Sequence, residues 1–90
     1  MKVSYRKSFE RDLKKFSKDH QTLDRIRKAI KEIREAGDLR DVSGIKSLRG
    51  FREGFLRLRV GDYRIGLEQE GETVVFVRCL HRRDIYRYFP

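Results

Sequence analysis

Apolar residues recur at helical spacing through the first half of the chain. Phe9, Leu13 and Phe16 fall on one side of a helix predicted from Lys7 to about Lys18, with charged residues on the opposite side. The same spacing of leucine and isoleucine residues continues from about Thr22 to Ala36. The sequence therefore predicts two amphipathic helices joined as a hairpin.

Other segments alternate between apolar and polar residues, which is typical of strands. Residues 1–5 form the first such segment, and three more follow the helices at Phe55–Val60, Tyr63–Gln69 and Thr73–His81. Short turn-forming stretches, of which Gly61-Asp62 is the first, separate these last three. The second half of the chain is therefore predicted to be an antiparallel meander.

The remaining segments lack a sustained period. Residues 38–50 mix glycine and aspartate with isolated apolar residues and are predicted to form an ordered loop. Residues 84–90 are predicted to form one short helical turn against the sheet. The predicted order is βααβββ in a single domain over residues 1–90. This is an α+β fold in which a small antiparallel sheet carries the two-helix hairpin on one face.

The turn at Gly61-Asp62 predicts which residues share each face of the sheet. With these two residues at the centre of a two-residue turn, Leu58 lies opposite Ile65 on a wholly apolar face. The other face pairs Arg59 with Arg64, Arg57 with Gly66, and Phe55 with Glu68. Because the two helices cover the apolar face, the arginines are expected on the opposite one.

Two arginines directly opposite each other repel, and their pairing lowers stability unless an anion lies between them. A phosphate group would relieve the repulsion. Gly66 beside Arg57 is expected to let a ligand backbone approach the sheet, because glycine has no side chain. The alternative is that these are solvated arginines on an exposed strand face, and a slip of one residue in register would reverse every facing.

A second group of candidate residues lies where the last strand ends, in the run His81-Arg82-Arg83-Asp84-Ile85-Tyr86-Arg87. Histidine is the side chain type suited to proton transfer at neutral pH, and His81 is therefore a candidate general acid or base. Tyr86 carries a hydroxyl that can donate a proton and a ring that can stack on a nucleobase. The alternative is a helix cap with surface charge, in which Tyr86 packs in the core.

The charge of the chain adds to the case for an anionic partner. The 90 residues include 23 Lys and Arg against 14 Asp and Glu, a formal net charge of +9. Such a surface attracts nucleic acids, acidic proteins and anionic membranes alike. Residues 1–45 hold seven Lys and six Arg, whereas residues 46–90 hold nine Arg and one Lys. This skew favours bidentate phosphate recognition in the second half.

Several classes of protein are disfavoured by the residues present. Cys79 is the single cysteine, and an intramolecular disulfide is therefore impossible. One cysteine and two histidines fall short of the roughly four ligands of a structural zinc site. We expect no metal and no other cofactor. No apolar run approaches the roughly 18 residues of a membrane span, and a cytoplasmic protein without membrane attachment is expected.

Four runs of residues resemble the RelE/ParE toxin superfamily in their order and spacing. The resemblance covers essentially the whole chain, since its length and predicted element order also match. The runs are Leu48-Arg49-Gly50, Leu56-Arg57-Leu58-Arg59-Val60-Gly61-Asp62-Tyr63-Arg64-Ile65, Val75-Phe76-Val77 and His81-Arg82-Arg83-Asp84-Ile85-Tyr86. The resemblance implies a toxin of a type II toxin–antitoxin system. In the branch that cleaves RNA, it implies a metal-independent endoribonuclease that cuts messenger RNA in the ribosome.

The resemblance also implies roles for individual residues. Arg57, Arg59 and Arg83 are expected to bind the RNA backbone, and Arg64 the scissile phosphate. Arg82 is expected to stabilise charge, Tyr86 to stack on or orient the substrate, and His81 to transfer a proton. Members of this branch tend to carry a lysine at the position of Phe55. Because that lysine is absent here, catalysis is expected to depend more on His81.

The implied partners are a cognate antitoxin protein, the ribosome and messenger RNA, with operator DNA bound only through the antitoxin. Two alternatives come from other classes of function. One is a non-catalytic inhibitor of DNA gyrase, since related members with the same fold act in that way. The other is a plain nucleic-acid-binding module that uses its basic sheet.

Overall fold

A computed structural model describes residues 1–48, 50 and 54–90 of the chain. Arg49, which forms part of the first run shared with the toxin superfamily, lies outside the described residues. The helices and strands are β1 Lys2–Tyr5, α1 Lys7–Lys14, α2 His20–Glu35, β2 Ile45–Ser47, β3 Phe55–Val60, β4 Tyr63–Glu70, β5 Thr73–His81 and α3 Ile85–Tyr88. The α+β class, the helical hairpin, the three-stranded meander and the short C-terminal helix are confirmed.

The described strands form one sheet in the order β1-β5-β4-β3-β2. The pairs β2–β3, β3–β4 and β4–β5 are antiparallel, as predicted for the meander. The predicted antiparallel sheet has one parallel edge, where β1 runs alongside β5 with Val3 opposite Val74. A four-residue strand has the same apolar alternation in either direction. Its sequence therefore holds no information about which neighbour it joins or how it runs.

The predicted loop over residues 38–50 also contains regular structure. A short 3-10 turn spans Leu39–Asp41, and β2 at Ile45–Ser47 pairs with β3. The loop prediction is wrong for β2, because three residues with one apolar member are too short to show a period. The strand forms because the outer edge of β3 presents backbone N–H and C=O groups that need partners.

The ends of the two helices differ from the predicted ends for local reasons. After Lys14 the backbone tightens, and the Lys15 and Phe16 amides donate to carbonyl oxygens three residues back. Regular α-helix therefore stops four residues before the predicted end at Lys18. The second helix starts at His20 because the carboxylate of Asp19 accepts a hydrogen bond from the Thr22 amide at 3.1 Å, as an N-cap does.

The core lies between the two helices and one face of the sheet. Phe9 of α1 and Ile26 and Ile33 of α2 are almost completely buried, as are Leu58 and Ile65 of the sheet. The apolar face predicted from the Gly61-Asp62 turn is thus the face that the helices cover. The two helices leave the opposite face of β3 and β4 uncovered.

Helix α1 also covers the outer edge of β5 beyond the point where β1 ends. The Ser8 hydroxyl donates to the Val77 carbonyl oxygen at 2.6 Å, and the Asp12 carboxylate accepts from the Cys79 amide at 2.9 Å. These two side chains stand one helical turn apart and take the place of a neighbouring strand. This contact fixes α1 against the strand that leads into the candidate site. Among the described residues, no helix is long and apolar enough to cross a membrane.

Candidate nucleic-acid interface

The register of the β3–β4 hairpin is the one predicted from its turn. Arg59 lies opposite Arg64, and Arg57 lies opposite Gly66. We call the surface formed by Arg57, Arg59 and Arg64 the arginine face. It lies on the side of the sheet away from α1 and α2, because these residues alternate with the buried residues of β3 and β4.

Arg64 is the electrostatic centre of this face. Its partial burial, and then the positive charges of Arg57, Arg59 and Arg82, hold the pKa of its guanidinium below the usual value. The hydroxyl of Tyr86 acts in the opposite direction. The guanidinium stays charged at neutral pH, because an ordinary arginine pKa is so high. The structure thus brings five of the predicted site residues within electrostatic range of one another.

The Arg64 side chain is also held in place by its own hairpin. Its Nη1 donates to the carbonyl oxygens of Gly61 at 2.8 Å and Tyr63 at 2.9 Å. These bonds use one end of the guanidinium fork and fix the orientation of the rest. A positively charged group held rigidly beside three others is suited to binding a phosphate, because little side-chain entropy remains to be lost.

Arg57 and Tyr86 form the second fixed contact of the site. Nη1 of Arg57 donates to the Tyr86 hydroxyl, and the guanidinium carbon lies 5.7 Å from the centre of the tyrosine ring. Nε of Arg57 is buried and has no hydrogen-bond partner within the described part of the chain. Tyr86 itself is 60% exposed, which leaves its ring open to a stacking partner and does not fit the alternative of core packing.

His81 and Arg83 lie apart from this group. His81 is opposite Tyr63 in the register, with ring centroids 5.9 Å apart, and Tyr63 in turn contacts Phe16 beside α1. His81 is therefore on the helix side of the sheet. Its Nδ1 accepts hydrogen bonds from the backbone and side-chain Nε of Arg83, at 3.2 and 3.3 Å.

A register shift in the β4–β5 pairing explains this placement. The shift lies between Gly66 and Leu67, which face Arg78 and Phe76 respectively, and Val77 is left as the extra residue. Simple alternation along β5 therefore fails beyond Phe76. Sequence reasoning assigned His81 to the end of the strand, but nothing in the sequence marks the bulge.

Gly66 does not open the arginine face to a ligand, and that prediction is wrong. A Cβ built on Gly66 would lie 2.5 Å from Cγ of Phe89, because the Phe89 ring packs directly on the glycine. The same ring meets the Phe55 ring edge to face, with centroids 5.7 Å apart. The C-terminal segment thus covers the end of the arginine face at which Gly66 lies.

Sequence reasoning missed the ion pair between the buried carboxylate of Asp12 and the partly buried guanidinium of Arg78. Nε and Nη2 of Arg78 donate to the two carboxylate oxygens of Asp12 at 2.8 and 3.0 Å. The hydrogen bond from Arg78 to Asp12 raises the pKa of Arg78, against the effect of burial. A signal was present, because Asp12 falls three residues after Phe9 and four before Phe16, within the apolar stripe of α1.

Within the described residues there is no cluster of three or more His, Cys, Asp or Glu side chains that could hold a metal ion. The described groups whose charges act on Arg64 are three further guanidinium groups and the phenol of Tyr86. Chemically, the site can bind an anion, stabilise added negative charge and present an aromatic ring beside it.

Comparison with known proteins gives a consistent set of relatives. The family model described as ParE toxin of type II toxin-antitoxin system, parDE, matches residues 3–86. Toxin RelE3 of Methanocaldococcus jannaschii is 42% identical over 91 residues, which span 100% of both chains. Solved structures also match this chain.

Two of those structures are crystal structures of toxin–antitoxin complexes. The RelB-RelE complex from Methanococcus jannaschii matches with a TM-score of 0.77 and 38% identity, over 98% of this chain and 100% of that one. The E. coli DinJ-YafQ complex matches with a TM-score of 0.77 and 16% identity, over 93% and 94%. At 16% identity the second likeness concerns the fold alone.

Proposed function

This chain belongs to the ParE toxin family of type II toxin–antitoxin systems, and from that premise we propose that it is a ribosome-dependent endoribonuclease that cuts messenger RNA. The observation that carries the proposal is the charge around Arg64. Partial burial, and then the positive charges of three further arginines, lower the pKa of its guanidinium. Such an arrangement is unfavourable until an anion enters, and a phosphodiester is the anion that an RNA substrate presents.

The proposed reaction is attack by the 2′-hydroxyl of the RNA on the adjacent phosphorus atom. The new bond joins the 2′ oxygen to phosphorus, the bond from phosphorus to the 5′ oxygen breaks, and a cyclic phosphate and a free 5′-hydroxyl result. The 2′-hydroxyl loses its proton to water, and the 5′ oxygen gains a proton from a donor in the site. Arg64 and Arg82 would stabilise the added charge on the phosphate oxygens, while Arg57 and Arg59 bind the flanking backbone.

We propose that Tyr86, and not His81, is the proton donor to the 5′ oxygen. Tyr86 lies beside the arginines, and its hydroxyl accepts a hydrogen bond from Arg57 while its own proton remains available for donation. His81 faces Tyr63 on the helix side of the sheet. Arg83 contacts His81 and would bind only the part of the RNA that extends past the arginine face.

Guanidinium groups can neutralise the developing phosphate charge without a cation, and we therefore propose a metal-independent reaction with no cofactor. A ribosomal target implies action in the cytoplasm. The proposed partners are the ribosome, messenger RNA and a cognate antitoxin that places acidic groups against the arginine face. Operator DNA would be bound only through that antitoxin, and we propose no contact with a membrane.

Mapping RNA ends after a short pulse of expression tests the proposal. We expect new 5′ ends inside translated messages within minutes and intact supercoiling of a reporter plasmid. Blocked supercoiling with intact RNA would instead assign the chain to gyrase inhibition. Intact RNA, normal supercoiling and continued growth would assign it to the class of plain nucleic-acid-binding modules.

A further inference from the structure

The penultimate residue of the chain is buried under the sheet. Phe89 is 3% exposed, although it follows α3 near the end of the chain. Its ring rests on Gly66, where a Cβ would meet three ring carbons at 2.5, 2.6 and 2.7 Å. Any side chain at position 66 therefore excludes the ring from this place. Phe55 closes the same recess with its ring at a near right angle.

This contact belongs to the same short segment that carries Tyr86. Helix α3 has four residues, which is too few to be stable by its own hydrogen bonds. The Phe89 amide donates to the Ile85 carbonyl oxygen at 2.9 Å and ties the ring to the start of the helix. Ile85 and Phe89 are both buried, while Tyr86 between them is exposed. The buried side chains of Ile85 and Phe89 therefore determine the position of Tyr86.

We propose that Phe89, seated on Gly66, is a positioning residue that holds the Tyr86 hydroxyl at Arg57. The Phe89 ring packs directly on Gly66, and this packing requires a residue without a side chain at position 66. The effect on RNA cleavage rests on the proposed function. The effect on the place of Tyr86 does not, since it follows from packing alone.

A double-mutant cycle tests the contact between Gly66 and Phe89. Gly66→Ala should displace the ring and release Tyr86, and Phe89→Ala should have the same effect. Because Gly66 has extended backbone that alanine readily adopts, Gly66→Ala should cause no further change when Phe89 is already alanine. Gly37→Ala is the matched control, since nothing lies within 4 Å of the added carbon. Additive effects of Gly66→Ala and Phe89→Ala would overturn the proposal.

The direct readout is the NMR signal of the Tyr86 ring in protein with ¹³C-labelled tyrosine, assigned with Tyr86→Phe. We expect this signal to move towards the position of a free tyrosine in Gly66→Ala and in Phe89→Ala. The signals of Tyr5 and Tyr63 should stay in place, which shows that the fold is retained. An unmoved Tyr86 signal in both folded variants would contradict the proposal.

The kinetic readout separates positioning from binding. For a displaced tyrosine we expect kcat to fall about 100-fold with little change in KM, because misplacement by about 1 Å has that effect on a reacting group. Phe89→Leu, which keeps most of the apolar volume, should restore most of kcat. A rise in KM with kcat unchanged would overturn the proposal. If the wild-type chain cuts no RNA, the proposed function fails, while the NMR experiment still decides the positioning.

Discussion

Asp12 of α1 holds Arg78 of β5 in a bidentate ion pair at the edge of the sheet. Asp12 is 2% exposed, and one of its carboxylate oxygens also accepts a hydrogen bond from the Cys79 amide at 2.9 Å. The Arg78 guanidinium lies 5.6 Å from the ring centre of Tyr88 in α3. A single carboxylate thus joins the helical layer, the last strand and the segment that carries the candidate catalytic tyrosine.

Asp12→Asn should lower the free energy of unfolding by about 3–5 kcal/mol, because it leaves a partly buried guanidinium without its counter-charge. Urea denaturation of the purified chain gives the measurement. Asp24→Asn is the matched control, since Asp24 pairs with Arg27 at 2.9 Å on the exposed surface of α2. The control should change stability by less than about 1 kcal/mol. Equal effects of the two substitutions would show that the buried pair has no special weight.

The thiol of Cys79 should make stability fall at high pH. Burial, and then the charge of Asp12, raise the pKa of the thiol from 9.0 to about 12. Between these two values the folded protein keeps the thiol proton while the unfolded chain loses it. The free energy of unfolding therefore decreases as the pH rises through this range.

Comparison with Cys79→Ala isolates this contribution from the other groups that titrate there. The difference in stability between wild type and variant should shrink as the pH rises from 9 towards 12. A difference that stays constant across this range would contradict the burial of the thiol. At neutral pH, labelling of the native thiol by a disulfide reagent should proceed only through unfolding.

The apolar face of the hairpin should control stability without any special role in function. Leu58 is 2% exposed, and Leu58→Ala should lower the free energy of unfolding by about 2–5 kcal/mol. RNA cleavage should fall only in proportion to the unfolded fraction. Measuring cleavage below the melting transition checks this, and a large loss in fully folded protein would place Leu58 in the functional machinery.

The parts of the fold that the sequence predicts are those set by local pattern. The pairing of Arg59 with Arg64 followed from the two-residue turn at Gly61-Asp62, because turn length fixes register. The parts that it missed depend on contacts distant in sequence. The bulge at Val77 turned His81 to the helix side, and the Phe89 ring filled the space beside Gly66. A glycine that admits a ligand and one that admits a ring have the same sequence signal.

The proposed chemistry predicts that chelators leave cleavage unchanged. Because guanidinium groups supply the positive charge, EDTA treatment of the purified toxin before it meets the ribosome complex should have no effect. Ribosomes need magnesium for their own integrity, and they are therefore kept in magnesium throughout, with only the toxin treated. A toxin that loses activity under this treatment and regains it on addition of a divalent cation would contradict a metal-independent site.

The central proposal is that Arg64 binds the scissile phosphate. The variant Arg64→Ala tests it only if the protein remains folded. Arg64→Ala removes hydrogen bonds to the Gly61 and Tyr63 carbonyl oxygens but also relieves repulsion from Arg59 and the other arginines. These effects oppose each other, and we expect a net change in stability within about 1 kcal/mol. Lys31→Ala, on the exposed surface of α2, is the control for loss of one positive charge.

The most direct test is the rate of ribosome-dependent RNA cleavage by folded Arg64→Ala, with Arg64→Lys beside it. We predict that Arg64→Ala abolishes cleavage and that Arg64→Lys restores only part of it, because an ammonium keeps the charge but lacks the planar fork that grips two phosphate oxygens. Lys31→Ala should cleave at the wild-type rate. Wild-type cleavage by folded Arg64→Ala would contradict the assignment of the arginine face as the phosphate site.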